Sequence, residues 1–188
     1  MARPPPVDEM RFAELNALDE NRAADELRRC CGSSRWARQM AQARPFDGID
    51  ALTAAADSVW RALDRADWLE AFAAHPRIGA GSAGRSGTDA SSRPDGTAAW
   101  SDAEQAGVSG SAERTRRRLV EANEDYLARF GYIFIVCAAG RTGDEMLDIL
   151  EARLRNDPDR ELRIAGEEQR KITRLRLAKL VGEEPDTP

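Results

Sequence analysis

The chain contains one histidine, His75, in the run Ala74-His75-Pro76-Arg77-Ile78-Gly79. Imidazole is the side chain whose ordinary pKa falls within the physiological range, so histidine-based proton transfer has a single candidate here. Pro76 fixes its own φ and lacks an N–H. It also steers His75 away from helical geometry. A helix over 66–74 is therefore expected to stop at the histidine and project it into a turn. The competing reading is a histidine that only ends the helix. Taken alone His75 fits that reading better, because structural networks use histidine too. A second reactive group lies in Trp100-Ser101-Asp102-Ala103-Glu104-Gln105. Ser101 and Glu104 have the spacing of a capping box, which accounts for both structurally. If the chain brings Glu104 to His75, the two make an acid–base pair.

Helices must position these groups. Helical periodicity runs through Phe12, Leu15 and Leu18, then over 20–31 up to Gly32. Ser33 or Ser34 can cap a helix over 35–43, with Trp36 and Met40 on one face. A helix over 50–64 carries the stripe Leu52, Ala56, Val59, Trp60 and Leu63, and one over 67–74 carries Trp68, Leu69 and Phe72. These aromatics read as core. Residues 79–97 are Gly, Ser, Ala, Arg, Asp and Thr with almost nothing apolar, which predicts a long flexible loop. The longest clean helix covers 111–130 and aligns Leu119, Asn123, Tyr126 and Phe130, ending at Gly131. A buried asparagine on that face must find partners.

Tyr132-Ile133-Phe134-Ile135-Val136-Cys137 is a short apolar run with no evident partner strand. It reads as an extended segment or turn buried between helices. Thr142 can cap a helix over 144–156. Pro158 suits the first turn of a last helix, which runs over 161–181 and is heavily charged. The pattern predicts an all-α, single-domain bundle of about eight to nine helices with one long Gly/Ser-rich loop. The domain is expected over 8–182, with disordered tails at 1–7 and 183–188.

Composition narrows the function. At 188 residues the chain can bury a full core, and a net charge of −5 gives no general attraction to nucleic acid or an anionic membrane. Three cysteines show neither a disulfide framework nor zinc spacing, which fits a reducing cytosol. No apolar run approaches a membrane span, and the N-terminus lacks the apolar core of a signal peptide. A cytoplasmic location is expected. No Gly-rich phosphate loop follows a strand, and no nucleophile elbow is present.

Three motifs in order resemble a known family. They are His75-Pro76-Arg77-Ile78-Gly79, then Ser101-x-x-Glu104-Gln105-x-Gly107, then Asn123-x-x-Tyr126-x-x-Arg129-Phe130-Gly131-Tyr132-x-Phe134. Together they resemble the 2-oxo-4-hydroxy-4-carboxy-5-ureidoimidazoline (OHCU) decarboxylase family of urate degradation. Support extends through Phe12-x-x-Leu15-Asn16, Cys30-Cys31-Gly32-Ser33, Asp67-Trp68-Leu69-x-Ala71-Phe72, Arg153-Leu154-x-Asn156 and Ile172-x-x-Leu175-Arg176-Leu177, so the likeness covers roughly residues 8–182. The loop over 79–97 departs from the family's shorter connection.

The resemblance implies an all-helical enzyme, commonly a homodimer, that needs no metal or organic cofactor. It would convert OHCU to (S)-allantoin and carbon dioxide. By position, His75 and Glu104 match the catalytic pair. Pro76, Ser101 and Gln105 match substrate-binding positions. So does the stretch Phe134, Ile135, Val136, Cys137 and Ala138, whose backbone would contact substrate. Arg176 is the best match for an arginine facing the substrate carboxylate, with Arg174 as the alternative because Arg-Leu-Arg leaves the register open. Gln105 also fits a helix-surface amide, and Arg176 a solvated arginine. Asn123 and Tyr126 read as core-facing residues that brace the site. A function from another class is a helical interaction module whose charged C-terminal helix binds a protein partner. Such a module has no need of His-Pro beside Ser-x-x-Glu-Gln.

Overall fold

The computed structural model describes the backbone of residues 7–76 and 113–182, with side chains from 12 and from 114 in these two stretches. Ser101, Glu104, Gln105 and the 79–97 loop lie outside the described residues. The described residues form eight α-helices and no strand, as the periodicity predicts. They are α1 (Val7–Ala17), α2 (Glu20–Arg28), α3 (Ser34–Gln42), α4 (Ile49–Ala62), α5 (Arg65–Ala73), α6 (Glu113–Phe130), α7 (Gly143–Arg153) and α8 (Pro158–Val181). Val7, expected in the N-terminal tail, already lies in α1.

Side chains set most helix starts. Asp19 caps α2 by accepting from the Arg22 N–H, and Ser33 caps α3 by accepting from Trp36. Thr142 and Glu145 form a full capping box at α7. Gly131 ends α6 at a φ of +79°, a conformation that favours glycine.

Two helix ends fall three residues short of the sequence expectation. α2 stops at Arg28 rather than Cys31. There the Arg29 amide bonds to Glu26, and the Cys30 and Cys31 amides both bond to the Leu27 carbonyl. This tight turn swings both cysteines into complete burial. α7 stops at Arg153 rather than Asn156. The Arg155 and Asn156 amides make short turn bonds to Ala152 and Arg153, and the Asn156 side chain is drawn to Glu161 at 2.7 Å.

The described contacts fall into two compact units. The first holds α1 to α4, α5 as far as Ala71, and the end of α8 from Arg170. Its core contains Leu27, Trp36, Met40, Leu52 and Trp60, all buried. The indole N–H of Trp36 donates to the Ala56 carbonyl at 3.2 Å, so the largest core side chain buries no orphaned donor. The Trp60 and Trp68 rings stack at 5.4 Å. The second unit runs from Phe72 to Gln169 and so includes the start of α8. Its core is aromatic, built from Phe72, Tyr126, Phe130, Tyr132 and Phe134.

Burial pushes the Cys31 thiol up to about 12, eased by the Ser33 backbone and the Thr173 side chain. The Cys30 thiol is also raised, first by burial, with the nearby Arg176 cation opposing the rise. A folded-state pKa raised above the ordinary 9.0 gives stability that is complete below that pH and is lost as pH climbs toward 12. Iodoacetamide at about pH 8 should therefore leave both thiols unmodified until the chain unfolds. Peptide mapping of protein labelled with and without urea checks this.

Candidate active site

His75 sits two residues beyond the end of α5, close to the predicted stop, and its N–H donates to the Phe72 carbonyl at 3.1 Å. The side chain is half-buried, and its Nε2 atom is shielded from solvent. Pro76 follows, also half-buried. The Phe72 ring packs against the Tyr132 ring with centroids 5.4 Å apart. That contact brings the helix end carrying His75 to the beginning of the 132–138 segment.

The segment itself has no regular secondary structure, as expected, and Phe134, Ile135, Val136, Cys137 and Ala138 are all buried. Charged side chains of the neighbouring helices hold it. Arg153 at the end of α7 donates through Nη1 to the Ile135 carbonyl at 2.7 Å. Glu168 of α8 accepts the Cys137 N–H at 2.8 Å. The Cys137 amide proton is thus directed at a carboxylate of the fold. His75, Pro76 and the 134–138 segment belong to the same compact unit.

Arg153 is also the hub of a buried network. Its Nε and Nη2 reach Glu161 Oε1 at 2.7 and 2.6 Å, and Nη2 lies 3.4 Å from the Tyr126 hydroxyl. Tyr126 donates a short hydrogen bond to the same Glu161 oxygen, and Asn156 donates to the other. Glu161 is fully buried, so this complete set of partners is what makes its charge tolerable there. The Arg153 guanidinium also lies 4.7 Å from the Phe134 ring centre. Asn123, which the sequence placed on the apolar face, is buried, and its amide donates to the Leu119 carbonyl at 2.8 Å.

The arginine alternatives separate within the first unit. Arg174 grips the buried Asp57 carboxylate with two bonds of 3.1 and 2.6 Å, and Arg170 joins at 2.9 Å. Arg174 is therefore committed to a carboxylate of the fold, whereas Arg176 is almost fully buried.

Sequence reading did not single out Arg153 as a hub, nor Glu161, Glu168 or Asp57. A signal was present. Arg153 continues the buried stripe of Met146 and Leu150 on α7, where an apolar residue is the default. Glu161 and Glu168 are seven apart and flank Ala165, so they share nearly one face of α8.

Comparison with known proteins bears on the family. A sequence model of OHCU decarboxylase matches residues 16–178. The 2-oxo-4-hydroxy-4-carboxy-5-ureidoimidazoline decarboxylase of Haloferax volcanii is 30% identical over 173 residues, spanning 92% of this chain and 96% of that protein. The uric acid degradation bifunctional protein TTL of Arabidopsis thaliana is 42% identical over 157 residues, 83% of this chain. The chain spans 46% of that protein's length and 33% of the related Bacillus subtilis protein PucL. A crystal structure of OHCU decarboxylase in the presence of (S)-allantoin superposes with a TM-score of 0.70 at 38% identity, covering 85% of this chain and 99% of that one. The chain belongs to the OHCU decarboxylase family.

Burial, first of all, pushes the Tyr126 phenol far above its ordinary value of 10; Glu161 adds to the rise and the Arg153 cation opposes it. Stability from this group is complete below pH 10 and falls as pH rises beyond it. In an alkaline titration followed by tyrosinate absorbance, the Tyr126 step should coincide with loss of helical circular dichroism and disappear in Tyr126→Phe. A Tyr126 step within the folded state would contradict the buried network.

Proposed function

We propose that the chain catalyses cofactor-independent decarboxylation of OHCU to (S)-allantoin and carbon dioxide in urate degradation. Family membership supports this reading over an interaction module. The observation that supports it is the Phe72–Tyr132 ring contact, which links the helix end that carries His75 to the start of the buried 132–138 segment.

The chemistry suits these residue types. When the carboxylate leaves, its bonding electron pair forms a C=C bond to the adjacent imine carbon, and the C=N π pair moves onto the ring nitrogen, which takes up a proton. No external electron sink is needed. The hydroxyl on the same carbon then loses its proton to become a carbonyl, and the former imine carbon takes up a proton on one face. His75 and Glu104 manage these two proton movements. Arg176 orients the departing carboxylate through paired hydrogen bonds. Backbone groups of the 134–138 segment, with Pro76, Ser101 and Gln105, hold the ring and ureido group. In this reading the working form is a cytoplasmic homodimer.

The test couples the protein to urate oxidase, hydroxyisourate hydrolase and urate, and follows the chiral signal of allantoin. Wild type should produce the (S) enantiomer faster than racemic product appears spontaneously; no acceleration would remove the decarboxylase reading. Replacing His75 with Asn should lower turnover by about 10²–10⁴-fold with an unchanged helical spectrum. Normal turnover in that variant would take His75 out of the mechanism. Arg176→Gln should raise KM at least about tenfold, the loss expected for one charged hydrogen-bonded contact. Arg174→Gln should leave KM near wild type. The reverse pattern would transfer the carboxylate role to Arg174.

A further inference from the structure

We infer that Glu168 and Arg153 are positioning residues that fix the two peptide planes on either side of Val136, and that the Val136 backbone N–H and C=O form the donor–acceptor pair that reads the amide edge of the substrate. This rests on the decarboxylase reading and adds to it which groups of the segment are offered and what holds them.

The argument is geometric. The Ile135 carbonyl lies in the peptide plane joining residues 135 and 136, and Arg153 anchors it at 2.7 Å. The Cys137 N–H lies in the plane joining residues 136 and 137, and Glu168 anchors it at 2.8 Å. Both peptides are trans, as the only cis bond among the described residues is Arg44-Pro45. In a trans peptide the N–H points opposite the C=O across the same plane. The Val136 N–H therefore points away from the oxygen that Arg153 holds. The Val136 C=O likewise points away from the proton that Glu168 holds.

Fixing both planes removes the two soft dihedrals of Val136, leaving one donor and one acceptor preset in direction. Among the described residues no group bonds to either. A ureide or ring lactam presents the complementary acceptor and donor side by side. The supports are themselves rigid: Arg153 is locked onto Glu161, and Glu161 and Glu168 rise from one continuous helix. Protein–protein hydrogen bonds of this kind preset recognition without ordering cost at binding.

The experiment compares Glu168→Ala, Glu168→Gln and Glu168→Asp with wild type. Gln keeps an oxygen at full reach without the charge. Asp keeps the charge but draws the oxygen back by one methylene. Amide hydrogen exchange is read by mass spectrometry on peptides covering Cys137, and KM and kcat are read in the coupled assay. Ala and Asp should speed exchange at Cys137 and lower kcat/KM by about ten- to a hundredfold, the range expected when a site is displaced by about 1 Å. Gln should stay within about threefold of wild type on both readouts, since a single neutral acceptor differs only modestly from a charged one.

Wild-type kinetics in Ala, or equal impairment in Gln and Asp, would overturn the positioning role. If Ala fails to fold, the Gln–Asp contrast decides it. A wild type without decarboxylase activity would overturn the functional reading itself. Faster Cys137 exchange in Asp would then still show that Glu168 holds the segment.

Discussion

The second unit depends on one buried ion pair, Arg153 with Glu161. Two charges taken out of water are costly, and only a full set of partners offsets that cost. Here Glu161 receives Arg153, Tyr126 and Asn156, while Arg153 turns its Nη1 to the Ile135 carbonyl. α6, α7, α8 and the irregular segment therefore meet at one point. Removing either charge leaves the other stranded, at about 3–5 kcal/mol. A lost core methylene costs about 0.8 kcal/mol. The aromatic cluster fills the space around this pair, but its rings have no directional demand of comparable strength. The pair sets where the segment lies, and the rings pack to suit.

Arginine is the residue that can do this. Its planar fork serves a carboxylate on one side and a carbonyl on the other, and its flat face still lies over Phe134. Lysine has neither the fork nor the face. The same logic operates at Asp57 in the first unit, where Arg170 and Arg174 converge on one buried carboxylate. The arginines of this chain thus include positions where only a guanidinium fits.

Much of the fold was legible because it is written locally. Caps at Ser33 and Thr142, the stop at Gly131 and the buried faces of Trp36 and Met40 follow from short-range rules. The irregular character of 132–138 followed from the lack of a partner strand. The ends of α2 and α7 were misjudged because tertiary demands settled them: burial of two thiols in one case, the pull of Glu161 on Asn156 in the other. Of the candidate site, His75 stood out through its rarity and its proline. Arg153 and Glu168 did not, since a charged residue on a helix reads as solvated until its partner is known. That partner lies 18 residues away for Arg153 and 31 for Glu168. The bonds from Arg174 to Asp57 were likewise hidden, because Asp57 lies 117 residues away in sequence.

α8 carries the two carboxylates that matter to the second unit, seven residues apart. At 3.6 residues per turn this spacing returns almost to the same face, about 10 Å further along the axis. The helix is in this sense a ruler whose graduations are fixed by length. Exposed positions between the marks tolerate exchange of side chains, but the interval does not tolerate a change in count. Inserting or deleting one residue between Glu161 and Glu168 would turn one carboxylate about 100° around the axis relative to the other. The stretch 161–168 is therefore closed to a change of length, because any such change takes one carboxylate off the shared face.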